Sequence, residues 1–537
     1  MSKHGLLLLT YRPQQISSVL AHVGSYLRTV NRKINNTLYI WVESNQRLIS
    51  NSLEPATAPL INELVNLVPR IYVEAHRRAP LLDVRVLHQA QYHQQHCQIK
   101  RKLQYLPEII FTNESFNDDH VGKYLESHFE VLFGKLPIFH LDHKDTSESG
   151  ILHYEPCSCR VYDYVCLGGT FDNLHNGHKI MLSTAQLKTQ KSLTIGVTDQ
   201  NMIKNKVLWE LIESPKERID KLSSYLTDID PFIEYKISSI QDPFGPAIVD
   251  PDLEAIVVSE ETVRGGHKIN EIRQTKNMSQ LQVDVIPLLK DGHRQHEVEE
   301  DKVSSSSMRI RKLGTLLRKP EPRPNLPNKP YIIGLTGMIA SGKTSIAQKL
   351  GKLGAGVINV DLLAHQTYSN QTMPAFKEIV SIFGSDIVDK DGNIDRPKLG
   401  RIVFEDKDKL TQLNEIIWPE TLKLVFEKIK ELSQKYQVIV LESPLLIEGN
   451  RMNQVHQIWL TILDEKEAIR RVQVRNQLTE EEAIKRVQSL IPSNEKVKHA
   501  NVIFCTYWDE KVTWEQVKRA WEMLNKEYIE SKPETGQ

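Results

Sequence analysis

Cysteine is scarce in this chain: five in 537 residues, at Cys97, Cys157, Cys159, Cys166 and Cys505. An odd, sparse set builds no disulfide framework and fits a reducing compartment. Cys157-Ser158-Cys159 lacks the spacing of a redox pair or a zinc knuckle, and no second pair completes a ligand set. Long apolar runs are missing too; none approaches the roughly 18 residues of a membrane span. The run Leu6–Leu9 is too short for the core of a secretory signal, and the Arg/Ser-rich composition of a transit peptide is absent. The expected location is the cytoplasm, with no clear targeting peptide and an association with mitochondria left open. Charge excess is also lacking, with 68 basic and 68 acidic side chains giving a formal net charge of +0. That balance argues against a protein that coats nucleic acid, yet permits anion sites built from a few local cations.

What is present is ordinary globular material, 40% hydrophobic and 25% charged residues. A chain of this length holds about three or four domains at roughly 150 residues each. The sharpest boundary is KPEPRPNLPNKP, residues 319–330, whose prolines remove backbone donors and forbid continuous helix. A softer one is the polar stretch 140–150. Three segments follow, at about 1–150, 155–318 and 331–537, and no internal repeat is visible. The first is read as α/β, with strands at Leu38–Val42, Arg70–Glu74 and around Leu82–Leu87. Its histidines His88, His93 and His96 suggest a metal site, but no carboxylate or cysteine spacing completes one, and a polar helix or loop is the plainer reading. Any role of this segment in recruiting protein partners is left open.

The other two segments alternate strand and helix, which implies parallel sheets with crossover helices: two Rossmann-like or P-loop α/β domains. In the second, a strand at Val161–Leu167 runs into GGTFDNLHNGH, residues 168–178. Gly168 and Gly169 allow a sharp turn and close approach to a phosphate. His175 and His178, three apart, face one side of a helix N-terminus, where amides and dipole favour anions. Either histidine could instead cap the turn. Further on, Ser304, Ser305, Ser306 and Ser307 precede Met308 and Arg309, offering hydroxyls and a guanidinium to phosphate, or else a flexible serine linker. Ser214-Pro215-Lys216-Glu217 is a capping box that opens a helix to about Leu226.

These residues resemble the HxGH nucleotidyltransferase superfamily and, more narrowly, the phosphopantetheine adenylyltransferase domain of animal coenzyme A synthases. The stretches Val257–Thr262, Arg264-Gly265-Gly266 and Val303–Arg309 carry the narrower likeness. The resemblance implies that the phosphate of 4′-phosphopantetheine attacks the α-phosphorus of ATP, giving dephospho-CoA and diphosphate. It implies Thr170 at the attacking phosphate, His178 and Arg309 stabilising charge on ATP, and Gly168, Gly169, His175 and Ser304–Ser306 around the nucleotide. Lys206 and Arg264 are weaker candidates for the phosphopantetheine phosphate, and Lys204 competes with Lys206.

The third segment contains Gly337-Met338-Ile339-Ala340-Ser341-Gly342-Lys343-Thr344, a full GxxxxGK[ST] between a strand and a helix. In such a loop the amides cradle the β-phosphate, Lys343 neutralises β/γ charge and Thr344 ligates Mg²⁺. Asp361, expected to end the strand Val357–Val360, can accept a proton from a substrate hydroxyl or cap the next helix. No guanine-reading NKxD occurs. The segment resembles the dephospho-CoA kinase family through GLTGMIASGKT, VDLLAH, Asp395-Arg396, Phe404-Glu405-Asp406, RVQVRN and EEAIKRVQS. The resemblance implies transfer of the γ-phosphoryl of ATP to the 3′-hydroxyl of dephospho-CoA, with Asp361 as base and Arg471 or Arg475 closing from a lid within 465–498. An ordinary solvated helix pair would carry the same charges. Glu442, Leu490 and Trp418 depart from residues common in that family.

The expected function is therefore the last two steps of coenzyme A synthesis, using ATP with Mg²⁺ and no tightly bound organic cofactor. Two alternatives stand beside it: a nicotinamide mononucleotide adenylyltransferase fused to a nicotinamide riboside kinase, and a non-catalytic nucleotide-binding scaffold.

Overall fold

Fifteen strands, all paired in parallel, form three five-stranded sheets among the described residues. The computed structural model describes residues 1–12, 16–45, 58–87, 100–113, 116–141 and 160–530. His88, His93, His96, Cys97, Cys157 and Cys159 lie outside them. No described helix is long and apolar enough to cross a membrane. The chain divides into two compact units, Met1–Met308 and Arg309–Gln537.

The first sheet comprises β1 (Ser2–Tyr11), β2 (Ile34–Ser44), β3 (Asp83–Leu87), β4 (Ile109–Thr112) and β5 (Ile138–His140), in the order β3-β2-β1-β4-β5. Leu6, Leu7, Leu8 and Leu9 have no exposed surface. That is the pattern of a central parallel strand covered on both faces. Sequence reading did not find β1. It also took Arg70–Glu74 for a strand, and the structure corrects this: the stretch lies inside the helix Ala58–Arg78. Leu64, Leu67, Val68, Ile71, Tyr72 and Ala75 are buried at intervals of three and four, so the face is helical and the β-branched residues merely occupy it.

The second sheet contains β6 (Tyr162–Gly169), β7 (Thr189–Thr198), β8 (Glu234–Ile240), β9 (Ala255–Ser259) and β10 (Gln282–Ile286), ordered β10-β9-β6-β7-β8. The order reverses at β6, so the loop after it lies at a topological switch point. The expected capping box is present in both directions between Ser214 and Glu217, with Pro215 opening the helix Pro215–Ile229. Both sheets of this unit share one apolar cluster, in which Ile40, Val42, Tyr72 and Val84 join Val165, Leu167, Leu193 and Tyr225. Helix Ala58–Arg78 packs along helix Asn176–Leu187, and the Tyr72 and Tyr225 hydroxyls meet at 2.7 Å.

The third sheet holds β11 (Tyr331–Gly337), β12 (Gly356–Asn359), β13 (Val438–Glu442), β14 (Gln457–Ile462) and β15 (Val502–Cys505), ordered β12-β13-β11-β14-β15. β11 sits in the centre with helix Lys343–Lys352 behind it. Residues 319–330 form neither helix nor strand. The segment just before them runs antiparallel to the edge strand β15, through a Leu316–Val502 bridge, Gly314 N–H to Ile503 O at 2.9 Å and Leu317 N–H to Asn501 O at 2.8 Å. Gly314 adopts φ +72°, and a Cβ there would lie 2.2 Å from the Gln516 carbonyl oxygen, so only glycine fits this approach.

Candidate active sites

The loop after β6 carries the first site. His175 is the N-cap of helix Asn176–Leu187, and its Nδ1 accepts from the His178 backbone N–H at 3.3 Å. The capping role foreseen as an alternative is therefore real for His175. The His175 and His178 rings stack at 3.8 Å. Gly177 lies between them, and a Cβ added there would approach His175 Nδ1 to 3.1 Å. Burial, then the neighbouring His178, pushes His175 well below the usual imidazole range. Burial, then the charge of Lys206, lowers His178 to about 4. Both rings are thus neutral at pH 7, and they can donate through N–H without carrying charge. The buried His178 Nδ1 has no hydrogen-bond partner among the described residues. Lys206 is exposed yet its field reaches His178, which separates it from Lys204.

Thr170 follows directly. Its hydroxyl accepts from the Thr198 hydroxyl at 3.3 Å, and its carbonyl accepts from Arg218 Nη1 at 2.6 Å. Arg218 is fully buried and donates also to Thr198 O at 2.7 Å and Glu213 O at 2.9 Å. One guanidinium thus fixes the ends of β6 and β7 together, a role that sequence reading did not foresee. The serine run is not a linker. Ser304 Oγ accepts from Ser307 N–H at 3.1 Å, capping helix Ser305–Lys312, and Ser305 Oγ donates to Asp172 O at 2.7 Å. The start of that helix is thereby tied to the loop bearing Thr170, with Ser306 in its first turn. Arg264 is exposed on helix Val263–Thr275, just past β9. Arg309 is buried on helix Ser305–Lys312.

The second site opens where β11 ends. Gly337, Ala340 and Gly342 take positive φ, at 152°, 61° and 85°. These angles curl Met338, Ile339 and Ser341 into a tight loop, closed by Ser341 N–H to Met338 O at 3.2 Å. Lys343 Nζ donates to Gly337 O at 3.2 Å and Met338 O at 2.9 Å. Burial lowers Lys343 to about 8, with Lys496 adding to the effect and Asp361 and Glu442 opposing it. Thr344 Oγ1 donates to Glu442 Oε1 at 2.5 Å, and Asn359 Nδ2 to Glu442 Oε2 at 3.0 Å. A hydroxyl beside a carboxylate is an oxygen donor set suited to Mg²⁺, and the longer side chain of Glu442 reaches Thr344 directly.

Asp361 does not end a strand as expected but lies in the first turn of the next helix. β12 stops at Asn359, whose side chain caps helix Val360–Gln366 by accepting from Leu362 N–H at 3.0 Å. Asp361 stands in the first turn instead, free of the capping duty. Burial raises its carboxyl to about 6, against the pull of Lys343. Two cavities meet at this residue. One, of about 650 Å³, is bounded by the loop Ile339–Thr344, Glu442, Arg470 and Leu490. The other, of about 820 Å³, is bounded by His365, Tyr368, Arg396, Arg401, Trp418 and Lys485. Asp361, Leu410, Leu445, Arg475 and Arg486 border both. Arg475 is exposed and touches both cavities, whereas Arg471 is held by Glu467 Oε1 at 2.8 Å and Thr506 O at 2.8 Å. The 465–498 region contains helices Glu465–Asn476, Glu480–Gln488 and Ser493–Val497. The side chains of Phe404 and Glu405 lie outside the described ones.

Comparison with known proteins bears on both sites. Residues 331–506 match the family described as dephospho-CoA kinase, and residues 166–313 match the cytidylyltransferase-like family. The chain is 41% identical over 187 residues to a dephospho-CoA kinase of Carboxydothermus hydrogenoformans, covering 35% of this chain and 90% of that protein. A dephospho-CoA kinase of Bacillus cereus is 34% identical over 198 residues, covering 36% and 98% respectively. One from Shouchella clausii is 39% identical over 186 residues, covering 34% and 94%.

Proposed function

The chain belongs, through residues 331–506, to the dephospho-CoA kinase family, and from that premise we propose that it catalyses the last two steps of coenzyme A synthesis. At the first site an adenylyl group passes from ATP to 4′-phosphopantetheine; at the second, dephospho-CoA is phosphorylated on its 3′-hydroxyl. The cytidylyltransferase-like match over residues 166–313 supports the first step, and the pairing with this kinase family favours neither the nicotinamide alternative nor the scaffold.

The observation that carries the reading is the placement of Asp361 between two cavities. A kinase that moves a phosphoryl group onto a small-molecule hydroxyl needs a nucleotide space, an acceptor space and a base where they meet. The cavity beside the P-loop takes ATP, and the one beside Arg396, Arg401 and Lys485 takes the acceptor with its anionic diphosphate. A carboxyl near 6 is ionised at pH 7 and still basic enough to draw off a hydroxyl proton. Lys343 holds the β/γ-phosphates, and Arg475, able to reach either side, closes over the moving group. Thr344 and Glu442 would hold Mg²⁺, which screens the phosphate charge when bound.

At the adenylyl-transfer site Thr170 orients the attacking phosphate. His178, neutral, donates to the α-phosphate as negative charge builds in the transition state. Lys206 and Arg264 supply charge for the phosphopantetheine phosphate, while Ser304–Ser306 and His175 frame the nucleotide. Arg309 is assigned to ATP charge.

The test supplies the purified protein with ATP, Mg²⁺ and 4′-phosphopantetheine and resolves products by mass. Dephospho-CoA followed by CoA is expected. Turnover of nicotinamide mononucleotide and nicotinamide riboside in place of the pantetheine substrates would sink the assignment, as would ATP binding with no product from either pair.

A further inference from the structure

The residue after the second histidine, Lys179, is a lysine buried to 4% side-chain exposure. Its backbone N–H donates to His175 O at 3.0 Å, closing the first turn of the helix that presents both histidines. Its ammonium does not turn toward the phosphate loop. Nζ donates to Asp83 Oδ1 at 2.5 Å and to Val84 O at 2.9 Å, both at the start of β3 in the first sheet. A buried ammonium is stable only when paired. Although burial works against it, Lys179 and Arg85 together hold the Asp83 carboxyl down to about 2.

The pairing continues. Asp83 Oδ2 accepts from Arg85 Nε at 2.9 Å, and Arg85 in turn forms an ion pair with Asp228 on helix Pro215–Ile229. Asp228 also accepts from Tyr39 OH at 3.0 Å and Gln104 N–H at 2.9 Å. That helix carries Arg218, which grips the Thr170 carbonyl. The two helices that set the transfer site are therefore linked to each other through residues of the first sheet. A second contact reaches the serine turn. His76 Nε2 lies 3.3 Å from Asp291 Oδ1, and His293 Nε2 lies 2.8 Å from His76 O. From there, Asp291 N–H to Asp301 O at 2.8 Å and Val303 N–H to Leu289 O at 2.8 Å lead directly to Ser304.

We propose that the first sheet is a positioning element of the transfer site, with Asp83, acting through Lys179, fixing the helix turn that presents His175 and His178. The proposal rests on the reading of that site as an adenylyltransferase. Asp83 touches no reactant; it sets where the imidazole N–H groups stand. A group that donates to developing charge loses its effect when displaced by about an ångström, on the order of a hundredfold in rate.

Lys179→Met is the main variant, because it removes the buried charge and leaves Asp83 paired with Arg85 and one-third open to water. It is expected to cut kcat of adenylyl transfer at least about tenfold while KM for ATP stays within about twofold. Asp83→Asn should do the same and Asp83→Glu should restore most of the loss. Tyr72→Phe is the control: it breaks the hydroxyl pair between helix Ala58–Arg78 and Tyr225 on helix Pro215–Ile229, and the bond from Val86 N–H on β3, without touching the Asp83–Lys179 pair or the turn, so it should lower Tm yet keep kcat. Wild-type kcat in Lys179→Met would overturn the proposal, and so would an equal loss of kcat in Tyr72→Phe at matched Tm. Hydrogen exchange of amides 175–179 reads the turn itself, whatever the acceptor is. Exchange should be faster in Lys179→Met than in Tyr72→Phe, and equal rates would refute positioning even if phosphopantetheine were not the substrate. A wild-type protein inactive on 4′-phosphopantetheine overturns the functional reading alone.

Discussion

Lys343 and His178 stand at the same point of similar folds, where a central parallel strand gives way to a helix, yet the surroundings proposed to receive phosphate differ. The kinase loop brings a cation and two carboxylates: Lys343 lowered to about 8, Asp361 raised to about 6, and Glu442 bonded to Thr344. The HxGH turn brings two neutral imidazoles, His178 lowered to about 4, and places its cations at the periphery. The first design sets its loop and its cation in eight consecutive residues, Gly337–Thr344, and brings in Asp361 from the helix turn after β12 and Glu442 from the end of β13. The second draws Thr170 and Lys179 from the turn after β6, Arg218 from helix Pro215–Ile229 and Ser305 from the serine turn. As proposed, it also leans on a neighbouring sheet. A phosphoryl group moving between two oxygens is stabilised chiefly by cations aimed at it. An α-phosphorus under attack is served by fixed donors that hold their place as charge grows.

The largest effect should separate the two sites outright. Lys343→Ala is expected to slow the kinase step by about a thousandfold or more, so dephospho-CoA accumulates while its formation proceeds at the wild-type rate. His178→Ala should reverse the picture, costing about a hundredfold or more in adenylyl transfer with phosphorylation of added dephospho-CoA unchanged. If either variant damages both steps equally, the contrast between two independent chemistries fails.

Protonation sharpens the contrast. On the proposed mechanism the kinase step needs Asp361 ionised, a form present above about 6 and lost below it. At saturating ATP, kcat/KM for dephospho-CoA should therefore fall about tenfold per pH unit below that value. The His178 ring, by contrast, should stay neutral down to about pH 4 when followed by histidine proton NMR. An imidazole that titrates near 6.5 would erase the distinction.

Smaller changes probe the scaffold of the transfer site. Gly177→Ala should raise helix propensity yet press a methyl against the His175 ring, where the ideal Cβ stands 3.1 Å from Nδ1. A fall of a few-fold in transfer rate with no loss of Tm is expected, about 1 kcal/mol of propensity offsetting the crowding. Ser214→Ala removes one half of the capping box and should cost about 1 kcal/mol. Thermal denaturation should then show Tm of the first unit lowered by about 2–4 °C, with the kinase transition unmoved.

How far the sequence could be read follows the same division. The P-loop was legible because its conformation is encoded locally: glycines at two of its three positive-φ positions, then Lys343 and Thr344 at a helix start. The capping box at Ser214 was legible for the same reason. Asp361 was found, although its strand ended one residue earlier than expected, at Asn359, which takes the cap. The misread helix at Arg70–Glu74 shows where local preference fails, since Ile71, Tyr72 and Val73 suit a strand and only the burial of Leu64, Leu67, Ile71 and Ala75 on one face makes it helical. The Asp83–Lys179 pair was out of reach, its partners being 96 residues apart. An isolated Asp and Lys carry no signal of that kind. The first sheet carries no motif, and the proposed link to the transfer site rests on packing and ion pairs alone.

The short segment that runs along β15 has a practical meaning for anyone handling the kinase half alone. A gene fragment begun at residue 331, where the family match begins, would discard Gly314, Leu316 and Leu317 and strip the outermost strand of its hydrogen-bonded cover. Bare strand edges recruit one another. Such a fragment should clump at concentrations where one begun at residue 309 stays dispersed, though both contain every catalytic group.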